Sequence, residues 1–364
     1  MNAIKKPLTV TDSASLLAIV PHQLGVQPQE CLVLLPVGAG RLIATLRVDL
    51  PRGGPVPHGV AATARRAVGY LDRIPALDRV FAVVYSSGPD DAGGPPHRAL
   101  VDAVGGELAR RGIELPEAWH VGAQGYRGYG CTDADCCPPR GRPLSSIVDS
   151  EANARLVFGG SAPLRAWWSG EAGPWPALET VREAVDSILA GTYGRPDPDL
   201  QLLAWCRLLK SEPAAVLADL RAEPVATARH LAALADPDVR DRLLYCAATG
   251  RLETGHDCSE VAEMLSGFVE SPPDWALLDR LWEIGRGLAD AARDTDREAV
   301  LTLVAWIEWA RGRSSAADAL LSRPDAGRPD RLATLLDVML QRGVLPPWAQ
   351  DPSAAWKEAA PRSW

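Results

Sequence analysis

Four acidic residues between positions 197 and 237 of this chain stand immediately before a proline: Asp197-Pro198, Glu212-Pro213, Glu223-Pro224 and Asp236-Pro237. Proline has no amide hydrogen and crowds the turn before it, so a helix tolerates it best at its first position, with an acidic residue ahead of it as the cap. Each pair therefore starts a new helix. Starts spaced 15, 11 and 13 residues apart allow only short helices joined by tight turns, which predicts an array of antiparallel α-helices. The spacing is too irregular for a strict repeat, and a tetratricopeptide-like stack is only the nearest analogy. Farther on, Trp275, Leu278, Leu281, Trp282, Leu288 and Ala292 recur at steps of three and four, as do Leu332, Leu335, Leu336, Met339 and Leu340. Residues 299–310 are apolar almost all round and predict a central, buried helix.

The first half follows another period. Cys31 to Leu35 is a continuous apolar run between Pro28 and Pro36, as in a strand buried on both faces. After a turn at Gly38-Ala39-Gly40, residues 41–50 alternate. Leu42, Ala44, Leu46, Val48 and Leu50 share one face of a predicted strand, and Arg47 and Asp49 lie on the other. A helix over 58–71, a strand over 79–85, a helix over 95–111 and a short strand at 119–121 follow. The predicted fold is thus α/β plus all-α: an N-terminal mixed β-sheet with packed helices, then a C-terminal array of antiparallel α-helices. The expected divisions are a mixed α/β domain over 1–160, a docked connector over 161–178 carrying Trp167, Trp168 and Trp175, and an α-helical domain over 179–364.

Charge narrows the partners. Of 38 basic and 46 acidic residues, 15 and 14 fall before residue 151, leaving 23 against 32 in the helical half. An acidic half argues against nucleic acid, whose phosphates need a basic face. No run approaches the roughly 20 apolar residues that span a bilayer, and the apolar stretch Leu16–Val20 lacks a secretory cleavage pattern, so the chain reads as cytoplasmic, where thiols stay reduced.

Reactive side chains concentrate in one Gly- and Pro-punctuated loop holding Cys131, Cys136 and Cys137. Such a cluster can bind a metal, bridge, do redox chemistry or simply pack. Zinc takes four thiolate or imidazole ligands, with His120 as a conceivable fourth and Cys258 or His256 as more distant ones; adjacent Cys136 and Cys137 are awkward as joint ligands. A Cys131–Cys136 bridge is geometrically feasible, although a reducing compartment works against it. Arg127, Arg140 and Arg142 favour thiolates, while Asp133 and Asp135 oppose them.

His22, Arg47 and Asp49 form a second candidate set, in which a His after a Pro-bounded turn meets a carboxylate as general base and an Arg holds an anion; the simpler reading is an Arg–Asp pair on a sheet face. Ser86-Ser87-Gly88 and Gly93-Gly94-Pro95 sit where phosphate loops occur but lack their spacing, and Asp90 and Asp91 repel phosphate. Serine-hydrolase elbows and zincin helices are absent from the sequence. Trp348, Trp356 and Trp364 follow the last long helix and mark a contact surface if the tail is exposed.

The segments Leu16 to Gly25, Pro28 to Val33 and Arg47 to Pro51 resemble the opening signature of the uncharacterised, mostly actinobacterial family called domain of unknown function 4192. The Cys131 to Pro138 loop with Gly141, the stretch Trp306 to Gly312, and Pro346-Pro347-Trp348 are similar to its later parts. This resemblance covers most of the chain, implies a native protein and implies no activity. The resulting expectation is a binding or scaffold protein whose helical half presents a partner groove. The alternative is an enzyme or redox/metal protein built on the Cys131 loop.

Overall fold

The computed structural model describes residues 8–51, 57–74, 76–90, 94–133, 135–138, 140–159, 161, 163, 175–192, 196–322, 330–351 and 353–357. The chain divides into two compact units, Met1–Pro163 with Ala360–Trp364, and Leu164–Ala359. Most of the passage expected as a connector, including Trp167 and Trp168, lies outside the described residues. Trp175 is buried, and its indole N–H donates to the Gly287 carbonyl at 3.1 Å.

The first unit opens with helix α1 (Ser13–Leu24), then β1 (Cys31–Gly38), β2 (Arg41–Leu42), β3 (Leu46–Asp49), α2 (Pro57–Gly69), β4 (Arg79–Tyr85), α3 (Arg98–Ala109), β5 (Ala118–Val121), β6 (Tyr126–Gly128), α4 (Ser145–Val148) and α5 (Glu151–Phe158). The sheet runs β2-β1-β4-β5-β6, with β3 also on β1. All pairings are antiparallel except β4–β5, which α3 connects as a parallel crossover. Alternate residues of β1 and β4 (Leu32, Leu34, Val80, Ala82, Val84) pack with Ala64, Val68, Leu100 and Val104 of α2 and α3 in one core. Cys31, Val33 and Leu35 point the other way and are equally buried, so β1 is enclosed on both faces as its unbroken apolar run requires.

The single strand expected over 41–50 is two. In the register, Val37 faces Leu42 and Leu34 faces Leu46, so two residues of β1 (35 and 36) oppose three on the partner (43–45). The extra residue is a β-bulge, and it sits opposite Pro36, which has no amide hydrogen for a ladder bond. Its effect is a change of face. Leu46, Val48 and Leu50 reach the core as expected, whereas Leu42 and Ala44 do not belong to it.

The regular structure among the described residues of the second unit is all helix: α6 (Leu178–Leu189), α7 (Pro198–Leu208), α8 (Pro213–Ala222), α9 (Pro224–Leu234), α10 (Pro237–Thr249), α11 (Cys258–Leu265), α12 (Trp275–Leu288), α13 (Asp294–Ala310), α14 (Ser314–Leu321), α15 (Arg331–Gln341) and α16 (Pro347–Gln350). The four acid–proline pairs between residues 197 and 237 all start helices, with proline at the first position. The two aspartates also cap, Asp197 accepting from the Asp199 amide and Asp236 from the Asp238 amide. Glu212 and Glu223, one methylene longer, make no such bond to their helices. Helix α13 is the core, with every residue from 299 to 310 buried. Among the described residues no helix is long and apolar enough to cross a membrane.

Among the described residues the tail does not expose its tryptophans. Trp348 is 1% exposed and donates to the Ala310 carbonyl, and Trp356 donates to Asp279 while lying over Arg311 and Arg313. Indoles bury large apolar faces once their N–H finds an acceptor, which draws this segment back onto its own helices. Trp364 lies outside the described residues.

Two groups in this unit, half-buried His230 and buried Asp296, titrate in opposite senses. Burial pushes His230 down from 6.5 to about 4 and Asp296 up from 3.8 to about 6. Below pH 6.5 the unfolded chain takes up a proton that folded His230 refuses, so the His230 contribution shrinks on acidification to pH 4. Folded Asp296 keeps a proton that the unfolded chain has lost above pH 3.8, so its contribution grows as pH falls from 6 towards 4. The two slopes oppose each other. Between pH 6.5 and pH 4, His230→Gln should gain about 2 kcal/mol of unfolding free energy relative to wild type, and Asp296→Asn should lose a similar amount. Urea titrations at both pH values check this, and variants that track the wild type at both would refute it.

Candidate metal centre

The loop that carries the three thiols leaves the sheet at the end of β6 and returns through a narrow neck. Tyr126 N–H donates to the Arg142 carbonyl at 2.9 Å, and Arg142 N–H donates to the Tyr126 carbonyl at 2.8 Å. Glycine is required on both sides of this closure. A β-carbon on Gly125 would lie 2.6 Å from the Arg142 carbonyl oxygen, and one on Gly141, where φ is +77°, would lie 2.9 Å from the Tyr126 nitrogen.

Within the loop Asp133 builds the turn. Its Oδ1 accepts from the Asp135 and Cys136 amides at 2.9 and 3.4 Å, and its carbonyl accepts from the Cys137 amide at 2.7 Å. That turn reverses the chain after Cys131, so the Sγ atoms of Cys131, Cys136 and Cys137 all lie within 4.8 Å of one another. The neighbours Cys136 and Cys137, awkward as joint ligands on sequence grounds, therefore converge. All three are half-buried and unbridged. Of the three arginines that spacing allowed, Arg142 reaches the cluster: its Nη2 donates to Cys136 Sγ at 2.8 Å and its Nε to the Cys136 carbonyl at 2.6 Å. Arg127 pairs with Asp90 instead.

The distant ligand candidates have other partners. His120 Nε2 contacts Ser86 Oγ at 3.1 Å and the Ser86 carbonyl at 3.3 Å, and burial pushes its pKa down. His256 Nε2 lies 3.2 Å from Cys246 Sγ, and Cys258 is exposed at the start of α11. Among the described residues the cluster thus offers three protein donors. The separation suits one ion: a tetrahedral zinc with Zn–S near 2.3 Å holds its sulfurs about 3.8 Å apart. A [4Fe–4S] cluster places a separate iron behind each thiolate and spreads the sulfurs farther.

In the second candidate set Arg47 and Asp49 pair with each other, and His22 bonds elsewhere. His22 lies in the last turn of α1, not in a turn after it, because Pro21 is carried inside the helix. Its Nδ1 is 2.9 Å from Ser161 Oγ and its Nε2 3.0 Å from Asn153 Oδ1. Asn153 Nδ2 donates to the Val148 carbonyl at 2.7 Å, which turns Oδ1 to the ring, so His22 Nε2 carries the proton. Both ring nitrogens are engaged in fixing α1 to the segment around α5. Arg47 and Asp49 form an ion pair at 2.7 Å on the sheet face that also holds Cys31, opposite Asp49 in the register. Burial pushes the Cys31 thiol up to about 11, which makes it a packing group rather than a nucleophile. At the supposed phosphate turn, Ser87 N–H and Oγ both donate to Glu30 Oε1 at 2.7 Å, filling the space with a carboxylate. Asp91 and Gly93 lie outside the described residues.

No curated protein and no solved structure matches this chain. A family match takes in the sheet, the thiol loop and nearly all of the helical array, and ends one residue before the tail tryptophan Trp348. Residues 14–347 match the domain of unknown function DUF4192, and the chain belongs to that family.

Proposed function

We propose that this protein is a zinc-binding protein whose ion is held by the thiolates of Cys131, Cys136 and Cys137. The observation that carries the reading is the convergence of the three sulfurs within 4.8 Å on a loop whose turn and neck are both fixed by hydrogen bonds. Arg142 at Cys136 Sγ supports it as well, because an outer-shell donor complements the charge of a metal-bound thiolate. Soft thiolate donors select zinc or copper(I) over magnesium or calcium. With three protein donors, the fourth position belongs to water or an incoming ligand, the arrangement through which zinc acts as a Lewis acid. A cytoplasmic location is part of the same reading, since thiols must stay reduced to serve as ligands.

Metal analysis of full-length protein purified under reducing conditions tests it. One zinc per chain is expected, lost in Cys136→Ser and retained in Cys31→Ser. Metal-free protein whose three loop thiols react with a thiol reagent at the same rate with and without added zinc would overturn the proposal.

A second reading, a partner-binding or scaffold role for the helical unit, is favoured by one observation. A groove of about 840 Å³ runs between α6, α7 and α9, and Leu200 and Val225 on its walls are 66% and 49% exposed. Concave apolar surface with a few polar groups suits a ligand or a partner segment.

A further inference from the structure

A second set of thiols lies inside the helical unit, on residues far apart in sequence. Cys206 of α7 and Cys246 of α10 are both buried, their helices pack together, and each thiol is the other's leading electrostatic neighbour. Cys246 Sγ also lies 3.2 Å from His256 Nε2 and 3.6 Å from the Glu253 carbonyl. His256 is only 9% exposed, with the Tyr245 ring 4.8 Å from its own, and its Nδ1 is buried with no hydrogen-bond partner among the described residues. Buried imidazoles ordinarily satisfy both nitrogens, because an unpaired one is costly. Here one nitrogen is set against a thiol instead, the placement of a base beside a nucleophile.

We propose that Cys206, Cys246 and His256 form a peroxide-oxidisable dithiol, in which hydrogen peroxide oxidises Cys206 and Cys246, relieved of its proton by His256, closes a disulfide between α7 and α10. In the first step the Cys206 sulfur attacks a peroxide oxygen and the O–O bond breaks. The departing hydroxide leaves as water with the Cys206 proton, and Cys206 becomes a sulfenic acid. In the second step His256 Nε2 takes the Cys246 proton and the Cys246 sulfur attacks the Cys206 sulfur. The S–O bond breaks, and the hydroxyl leaves as water with the proton that His256 returns. Two thiols lose two electrons and two protons, and one peroxide becomes two waters. Cys206 takes the first oxidation and Cys246 acts second, because it is the Cys246 sulfur that lies against the Glu253 carbonyl and the His256 base. Burial of both sulfurs also selects the oxidant, since a water-sized peroxide reaches them where a bulky disulfide does not.

The test uses the full chain with Cys131, Cys136 and Cys137 replaced by serine, so its outcome is independent of any metal on that loop. The protein is treated with hydrogen peroxide, alkylated in denaturant and mapped by mass spectrometry. A linked Cys206–Cys246 peptide is expected. In His256→Gln the linkage should slow on the order of 100-fold, and Cys206 sulfenic acid should accumulate and be trapped by dimedone. A His256 that only packs would leave no trapped intermediate. Cys206 and Cys246 remaining as free thiols in the otherwise wild-type helical unit would overturn the proposal, and that result needs no variant at either position. Linkage at an unchanged rate in His256→Gln would remove His256 from it.

Discussion

Arg311→Ala should lower the stability of the helical unit by about 3–5 kcal/mol, the usual consequence of removing one partner of a buried ion pair. Arg311 follows α13 and holds four side chains at once. Its Nη1 donates to Glu308 Oε1 at 3.0 Å, and its Nη2 donates to Asp279 Oδ1, on α12, at 2.6 Å. Its guanidinium lies 4.7 Å from the ring centroids of both Trp282 and Trp356. Glu308 is 1% exposed, and without Arg311 its nearest cation is Arg313, 3.9 Å from Oε2. A buried carboxylate left with so distant a partner is what makes the substitution expensive. Trp356 also loses one of the two cations over its ring, with Arg313 left on it, which loosens residues 353–357 from the helices. Arg311→Lys should recover little, because a point charge cannot fork to two carboxylates and stack between two rings. Arg311→Met combined with Glu308→Leu should recover most of the loss, since apolar replacements of similar volume remove the unpaired charge. Urea unfolding of the three variants decides the matter. An Arg311→Ala midpoint indistinguishable from wild type would show that the network contributes nothing.

Gly125→Ala and Gly141→Ala should each weaken zinc binding by on the order of 10–100-fold, the range seen when groups supporting metal ligands are removed. The expectation rests on the metal reading of the loop. The obstruction is backbone rather than side chain: a Gly125 β-carbon meets two carbonyl oxygens, of Arg142 and Arg140, at 2.6 and 2.8 Å. At Gly141 the φ of +77° adds strain for any residue with a β-carbon. Relief requires the neck to part, which breaks the two Tyr126–Arg142 bonds and swings Arg142 away from Cys136. Competition against a chromophoric chelator measures the affinity. Gly130→Ala serves as the control, because nothing lies within 4 Å of a β-carbon there. Equal affinities in all three proteins would mean that the neck does not hold the thiols in place.

Much of the architecture follows from local rules. Helix starts at Asp197, Glu212, Glu223 and Asp236 depend on proline chemistry confined to neighbouring residues, and the burial of 299–310 depends on there being no polar face to turn outward. The enclosed β1 follows in the same way from its apolar run. These features are legible because each is decided within a few residues. The bulge opposite Pro36 was not legible from the alternation of 41–50, since it arises from what the neighbouring strand lacks. His22 shows a similar limit: Pro21 signalled a break, yet the helix continues, and Asn153 and Ser161 receive the imidazole.

The candidate sites divide along the same line. Sequence spacing by itself placed Cys131, Cys136 and Cys137 in one loop and put three arginines within reach. Only the folded chain turned all three sulfurs inward and chose Arg142, because that choice depends on the Asp133 turn and the Tyr126–Arg142 closure. The Cys206–Cys246–His256 contact has no local signal at all. Forty residues separate the two cysteines (246 − 206), and only the packing of α7 against α10 brings them together. Short-range chemistry thus determined which helices and strands form. Long-range packing decided which side chains meet, since a pairing between distant residues is set by how whole elements bury their apolar faces, and no window of sequence contains that information.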